Sequence, residues 1–472
     1  MKISFYSTSR KSLAFIASIV LFVAVFYNSS GFGLNWAIYT GVLSFLIYLT
    51  SDNQAHKALK VTCVLSILAS FAVLWHGSQL SLLASAILLL VMAGQMADIR
   101  LSAWEGSIVA ALNLLFSPVL SFVAFFKNLS VTKSDRPKLS LQWIIPGIVL
   151  FTFILLYYFA SPIFKNILDN LGWPNIYQVL VLSLLGFFAA STLLLTASPK
   201  GLADFLYKKA EKPPIWIRNT HLISWKATII LLVALILVVI SSDAYYRWVL
   251  NSLPTDLTLA SYLHQGVFAV MVSALMAGFL GFYLASNEEL SKDKVVHTGT
   301  RIFTSLNMVL ILQTAMRNAA YIGQYGLTEK RVAVFIYLFM GIVALSLTLY
   351  GLHIKKRPVF LYRQLGISAA IVLVVSALVN WSIVITNYNL SNASKLNGID
   401  YTYLLTLDEV NLTLLERHKF KMSYDERLVL DNRLFHYRSG VNPTLSIREF
   451  VIDDYVTAKQ IIQSTPENQP NR

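Results

Sequence analysis

Eleven stretches of this chain are each long enough and apolar enough to cross a lipid bilayer as a helix. They cover residues 12–28, 34–50, 60–75, 80–96, 141–160, 176–196, 226–242, 262–285, 303–324, 332–352 and 365–386. A span needs about 20 largely apolar residues, with ~17 as the lower limit. Inside hydrocarbon every backbone N–H and C=O must be satisfied within the protein, so runs of this kind fold as helices. The expected class is therefore all-α, a polytopic transmembrane bundle.

Composition supports that class. Of 472 residues 56% are hydrophobic and 13% charged, against roughly 25% charged in soluble domains. The net charge of +14 lies in short basic clusters between apolar runs. That is the pattern of cytoplasmic loops facing anionic lipid rather than the continuous patch nucleic acid requires. Membrane lipids are the expected partners, and nucleic acid is not among them. Cys63 is the only cysteine, so it forms no intrachain disulfide and no thiol metal site, and it sits within an apolar run. Lys2, Arg10 and Lys11 precede the first run, and no small-residue cleavage site follows it, so the run reads as a retained helix with a cytoplasmic N-terminus.

A twelfth apolar stretch, 106–126, carries Asn113 and a Ser117-Pro118 pair near its middle. If it crossed, the basic loop from Lys127 to Lys138 would change sides and every later loop would invert. Without that crossing, 23 of the 38 basic residues fall in cytoplasmic loops or at their edges, and the external loops hold only Lys165, Arg247, Lys330 and Arg331. The charge asymmetry favours a re-entrant or in-plane segment broken at Pro118. Eleven crossings then leave the C-terminus outside.

Composition changes abruptly at Asn387. Residues 1–386 read as the membrane domain, and 387–472 as a small extracytoplasmic, mainly helical domain with a disordered end. Leu404, Leu407, Val410, Leu414 and Leu415 suggest one apolar stripe; Ile447, Phe450, Val451, Tyr455 and Ile461 suggest another, with a turn at Asn442-Pro443.

The polar residues of one late span stand out. Asn307, Thr314, Arg317, Tyr321 and Gln324 follow one another at steps of seven, three, four and three, a single stripe along an apolar helix. An arginine at the bilayer centre costs at least ~2.5 kcal/mol, and somewhat less at the depth of Arg317, so it should face the bundle interior or a wet cavity unless it snorkels. No Asp or Glu lies near the middle of any other predicted span, and Asp243 falls just past one end. Arg317 is therefore expected to find carbonyls, tyrosines, asparagine or an anionic ligand. His264 and Asp243 would line the same outward cavity if their helices are neighbours. Gly326 suits the end of that helix and Thr328 the cap of the next, which makes a tight helical hairpin.

Residues 317–332, ArgAsnAlaAlaTyrIleGlyGlnTyrGlyLeuThrGluLysArgVal, resemble the signature of a bacterial multi-pass membrane family of unknown function, numbered 4153, and of its close relative 4173. The matching positions are Tyr321, Ile322, Tyr325, Gly326, Leu327, Thr328, Arg331 and Val332. A second match, Asp-x-x-Tyr-Leu, falls on Asp400, Tyr403 and Leu404 just beyond the last span. The resemblance implies a bacterial inner-membrane protein and supplies neither an activity nor catalytic residues.

Nothing in the sequence marks a nucleophile, a metal-ligand cluster or a phosphate-cradling glycine loop, and no cofactor is implied. Three function classes follow. The first is a transporter-like or accessory envelope protein that binds a lipid or anionic small molecule around Arg317. The second is a scaffold or sensor that meets other envelope proteins through its tail. The third, with least support, is a membrane enzyme acting on a lipid-linked substrate.

Overall fold

A computed structural model describes residues 9–52, 54–129, 175–196, 198, 222–245, 259–354, 358–438 and 447–463. The expected span 141–160 lies outside these residues. Every regular element among them is helical. Among the described residues six helices are long and apolar enough to cross a membrane, or seven if one bent pair counts as a single span. The chain is a helical membrane protein, and it divides into two compact units.

The first unit comprises residues 1–200 and 445–451. Its long helices are α1 (Ser9–Phe26), α2 (Leu34–Thr50), α3 (Lys57–His76), α4 (Gln79–Ala97), α5 (Ala103–Leu129) and α6 (Ile176–Leu194). Short turns such as Gly77-Ser78 reverse the chain between them, Gly77 adopting the left-handed conformation that ends α3. Lipid tails are as apolar as leucine, so association here depends on close approach and on small polar groups. Between α2 and α3 the Thr40 and Ser70 hydroxyls pair at 2.8 Å, as do those of Ser44 and Ser66. Gly94 and Gly106 bring the backbones of α4 and α5 together so closely that a β-carbon on Gly94 would collide with the Gly106 backbone. Helix α6 runs antiparallel to α1: the Asn175 amide donates to the Tyr27 hydroxyl at 2.8 Å, and Gly186 packs on Ile19 and Phe22.

The expected break at Ser117-Pro118 does not occur. Helix α5 runs unbroken for 27 residues with Pro118 inside it, about 40 Å at 1.5 Å per residue. Val109, Ala110, Asn113 and Ser117 are buried along one face, and Asn113 satisfies itself by donating to the Val109 carbonyl at 2.7 Å.

Residues 447–451 of the tail also belong to this unit. Glu449 accepts hydrogen bonds from the Ser29 and Ser30 hydroxyls and the Ser30 amide, and the Phe450 carbonyl accepts from Leu34 N–H at 3.0 Å. Gly33 leaves room for this strap, since a β-carbon there would strike the Glu449 backbone.

The second unit comprises residues 201–444 and 452–472. Its helices are α7 (Leu222–Ala244), α8 (Leu259–Ser286), the short α9 (Glu288–Lys292), α10 (Lys294–Tyr325), α11 (Glu329–His353), α12 (Pro358–Ala377) and α13 (Trp381–Ser391). Helices α7 and α10 run parallel, joined by ion pairs at both ends, Lys226–Asp293 at 2.7 Å and Asp243–Arg317. Helix α8 runs against both, with Tyr283 beside Trp225 and Ser273 bonded to Asn307. Helix α11 returns along α10, where the His297 ring meets the Leu352 carbonyl at 3.1 Å.

The expected span 365–386 is broken by a bend. Helix α12 stops at Ala377, and α13 leaves at a bend of 62°. Asn380 caps α13 by accepting from the Ile383 amide at 3.2 Å, and the Trp381 indole donates to the Ser376 carbonyl at 2.9 Å.

The rest of the tail folds against α13 as α14 (Tyr401–Leu404), α15 (Leu412–Glu416), α16 (Tyr424–Arg438) and α17 (Ile452–Gln463). Leu404, Leu407 and Leu415 are buried in one cluster and Val410 is buried as well, but through short turns rather than one long helix. The second expected stripe is divided between the units, with Val451 packed on Gly77 in the first and Ile461 buried in the second.

Candidate functional site

All the sequence-derived site residues belong to the second unit, and the structure separates them into two places. The first is a seam between the long apolar helices α7, α8 and α10. Helix α10 buries Thr300, Thr304, Asn307, Thr314 and Asn318 on one face, at steps of four, three, seven and four. The threonines return their hydroxyl protons to carbonyls four residues back, at 2.7–2.9 Å. Asn307 accepts from the Ser273 hydroxyl of α8 at 2.6 Å and donates to the Phe303 carbonyl at 2.9 Å. Gln313 reaches α7 by donating to the Ile240 carbonyl at 3.3 Å.

Arg317 flanks this seam. Contrary to expectation it has a carboxylate partner, because α7 continues past its predicted end to Ala244 and so carries Asp243. The two side chains form an ion pair with only 11% and 8% of their surfaces exposed. Helix α8 makes space with Gly266, where a β-carbon would meet the guanidinium. His264 is the sixth residue of the same helix, but its side chain lies outside the described residues. In such a setting each charge is held by the other, and removing either leaves a buried ion behind.

Tyr321 and Gln324 belong to the second place, the turn end of the hairpin. The Arg331 guanidinium lies 4.3 Å over the Tyr321 ring. Its Nη1 donates to the Tyr325 carbonyl at 2.8 Å and also to that of Gly326, so it clamps the turn. Gly326 takes a left-handed φ of 80° to close α10, and Thr328 caps α11 by accepting from the Arg331 amide at 3.4 Å. Gln324 is exposed and contributes its backbone carbonyl, which accepts from Asn397 N–H at 2.9 Å.

The tail motif meets the hairpin motif here. The Tyr403 hydroxyl accepts from the Glu329 amide at 2.9 Å, and Asp400 caps α14 by accepting from the Tyr403 amide at 2.8 Å. Leu404 is fully buried in the tail core. Asn389 of α13 pairs with both backbone groups of Leu327, accepting at 2.6 Å and donating at 2.9 Å. Between the motifs lies a cavity of about 70 Å³, lined among others by Thr328, Arg331, Asp400 and Tyr403. Burial pushes the Tyr403 phenol above its ordinary pKa. The hydrogen bond from Glu329 and the charge of Arg331 oppose that rise, and the carboxylates of Glu329 and Asp400 add to it. The phenol stays protonated at neutral pH and keeps its O–H as a donor.

Sequence reasoning missed Asn389, Asn318, Thr300 and Thr304. For the last three the signal was present, since they fall in the same four-three register as Asn307 and Thr314. The arginine drew the stripe towards its own flank. Asn389 stands three residues past the last predicted span and eleven before Asp400, and neither motif includes it. Among the described residues no three His, Cys, Asp or Glu side chains converge as a metal site would need.

A family model described as Domain of unknown function (DUF4153) matches residues 13–418, a stretch that contains both motifs. No curated protein and no solved structure matches the chain.

Proposed function

The chain belongs to the DUF4153 family, and on that footing we propose that it is a transporter-like membrane protein whose working site is the seam between α7, α8 and α10. The observation that carries this reading is the buried Arg317–Asp243 pair. Ionised groups inside a membrane are costly and tend to mark ligand or ion pathways, whereas apolar side chains would join two helices at lower cost. The ligand is an anionic small molecule or the anionic headgroup of a lipid. Its phosphate or carboxylate competes with Asp243 for the Arg317 guanidinium, so binding exchanges one anion for another and frees α7 from α10.

The location that goes with this function is a bacterial inner membrane, with the N-terminus cytoplasmic and residues 387–472 outside. The basic loops support that orientation.

Opposite effects of two substitutions test the site. Purified protein is titrated with short-chain phosphatidylglycerol and its melting temperature followed. Arg317→Ala should abolish the stabilisation, and Asp243→Asn, which removes the competing anion and keeps a polar side chain, should strengthen binding about tenfold. Equal responses from wild type and both variants would leave the pair a purely structural join.

A second reading, a scaffold or sensor that contacts envelope proteins through its tail, draws on Phe420 and Tyr424. These aromatic side chains are 70% and 79% exposed in the tail. A pull-down that loses its partner on Phe420→Ser and Tyr424→Ser, with Arg317→Ala neutral, would favour it.

A further inference from the structure

The cavity at the hairpin end holds a positive and a negative side chain that do not pair with each other. Arg331 uses only Nη1 for the Tyr325 and Gly326 carbonyls, and its Nε and Nη2 meet no hydrogen-bond partner among the described residues. Asp400 uses Oδ1 to cap α14, and its Oδ2 is likewise without a partner among them. Both line the same space of about 70 Å³, together with the Thr328 and Tyr403 hydroxyls. Opposite charges on one cavity ordinarily attract into a bridge, as Arg317 and Asp243 do. Here each is held back by its structural duty, the arginine clamping a turn and the aspartate capping a helix. Two separated charges that each retain bonding capacity match a ligand that carries both signs.

The position narrows the ligand further. Helices α10 and α11 are both long and apolar enough to cross a membrane, and this cavity lies at the turn joining them. Tyr321, Tyr325 and Tyr403 cluster at that turn, as aromatic residues do at headgroup level. The space suits a few heavy atoms rather than an acyl chain.

We infer that this cavity binds a zwitterion made of a primary ammonium and a phosphate or carboxylate, with the ammonium at Asp400 and the anionic group at Arg331. A phosphoethanolamine headgroup of a membrane lipid has this chemistry, and so does a free soluble amino acid or phosphoethanolamine. Three hydrogens of a primary ammonium are donors that Asp400 and the backbone carbonyls of the turn accept. The phosphate takes the free edge of the guanidinium and the Thr328 and Tyr403 hydroxyls. The cavity stands apart from Arg317, which is eight residues back along α10 from Tyr325, and the inference does not rest on the transport reading.

The test uses the full-length purified protein in detergent. Its melting temperature is followed against short-chain phosphatidylethanolamine, phosphatidylcholine and phosphatidylglycerol, and against free phosphoethanolamine. Phosphatidylethanolamine should stabilise most, phosphatidylcholine less because its trimethylammonium donates no hydrogen bond. The phosphatidylglycerol response should not depend on Arg331 or Asp400. Arg331→Gln keeps donors for the turn carbonyls, and Asp400→Asn keeps a helix cap, so both variants should fold. Each should weaken phosphatidylethanolamine binding about tenfold or more, the effect of losing one charge-assisted hydrogen bond. A response confined to the lipid assigns the site to a headgroup, and an equal response to free phosphoethanolamine assigns it to a soluble zwitterion. No response to either, or a folded Asp400→Asn that binds as wild type does, overturns the inference.

Discussion

Asp454 shows how one residue records its surroundings. Burial pushes its carboxyl up to about 6, and the nearby charges of Glu409, Asp408 and Asp453 push in the same direction. Those three neighbours are engaged: Asp408 accepts from the Ser382 hydroxyl at 2.9 Å, Asp453 from Asn380 at 2.6 Å, and Glu409 faces Arg433 at 3.6 Å. The folded value lies above the unfolded ~3.9. The contribution of Asp454 to stability is therefore full below about pH 4 and is lost as pH rises through 6. Glu426 and Glu449 work the other way. Burial would raise each, but hydrogen bonds from Ser423 and Thr402 in one case, and from Ser29, Ser30 and Gly31 in the other, leave them lowered. Their contribution is present above the unfolded value and fades as pH falls. The variant comparison isolates the aspartate: Asp454→Asn should melt higher than wild type at pH 7.5 and at the same temperature at pH 4. A gap that persists at pH 4 would assign the effect to packing instead. None of this was legible in the sequence, because Asp408 and Asp454 are brought together only by the tail's fold. Asp243 was legible as a residue but not as a partner, since two extra residues of α7 decided whether it stood on the helix or past its end.

Elements fared better than their ends. Apolar runs gave the helices, Gly326 and Thr328 gave the hairpin turn, and the register of Thr300, Thr304 and Asn307 was there to be read. The Ser117-Pro118 pair misled, because proline removes one backbone donor and strains one turn but a helix packed on its neighbours can absorb both. The bend after Ala377 had no such flag, for the residues around it are Leu378, Val379 and Asn380. Close approach is a property of pairs of elements, and α4 with α5 is the tightest example. Gly94→Ala should destabilise the first unit by about 1–3 kcal/mol through the forced separation of the two backbones. The check is thermal unfolding beside Gly278→Ala, where a β-carbon meets nothing within 4 Å. Equal melting temperatures for the two variants would mean the helices separate freely.

Across the whole chain, the sequence of helix directions bears on topology. In the first unit α1 to α5 alternate through short turns, and α6 is antiparallel to α1, so α5 and α6 point in opposite directions. If α5 is a full crossing, it takes the place of 141–160, the number of crossings stays at eleven, and no later loop inverts. The charge asymmetry then loses only the Lys127–Lys138 loop. On this footing a cysteine at Lys133, in a Cys63→Ser background, should react with an impermeant maleimide from outside, as should one at Asn392. Protection at 133 with labelling at 392 would return the crossing to 141–160. Loop charge speaks for 141–160 only through Lys127, Lys133, Arg136 and Lys138, because both assignments leave the remaining loops where they were.

The two ion pairs between α7 and α10 have opposite polarity, Lys226 with Asp293 at one end and Asp243 with Arg317 at the other. A slide of one helical turn, 5.4 Å along the axis, would unfasten both at once and leave four charges stranded. A tilt about either clasp opens the far one and leaves the near one closed. Rocking strands two charges where sliding strands four, so opening a single end at a time is the less costly motion, and the more exposed Lys226–Asp293 end opens more readily than the buried Asp243–Arg317 end.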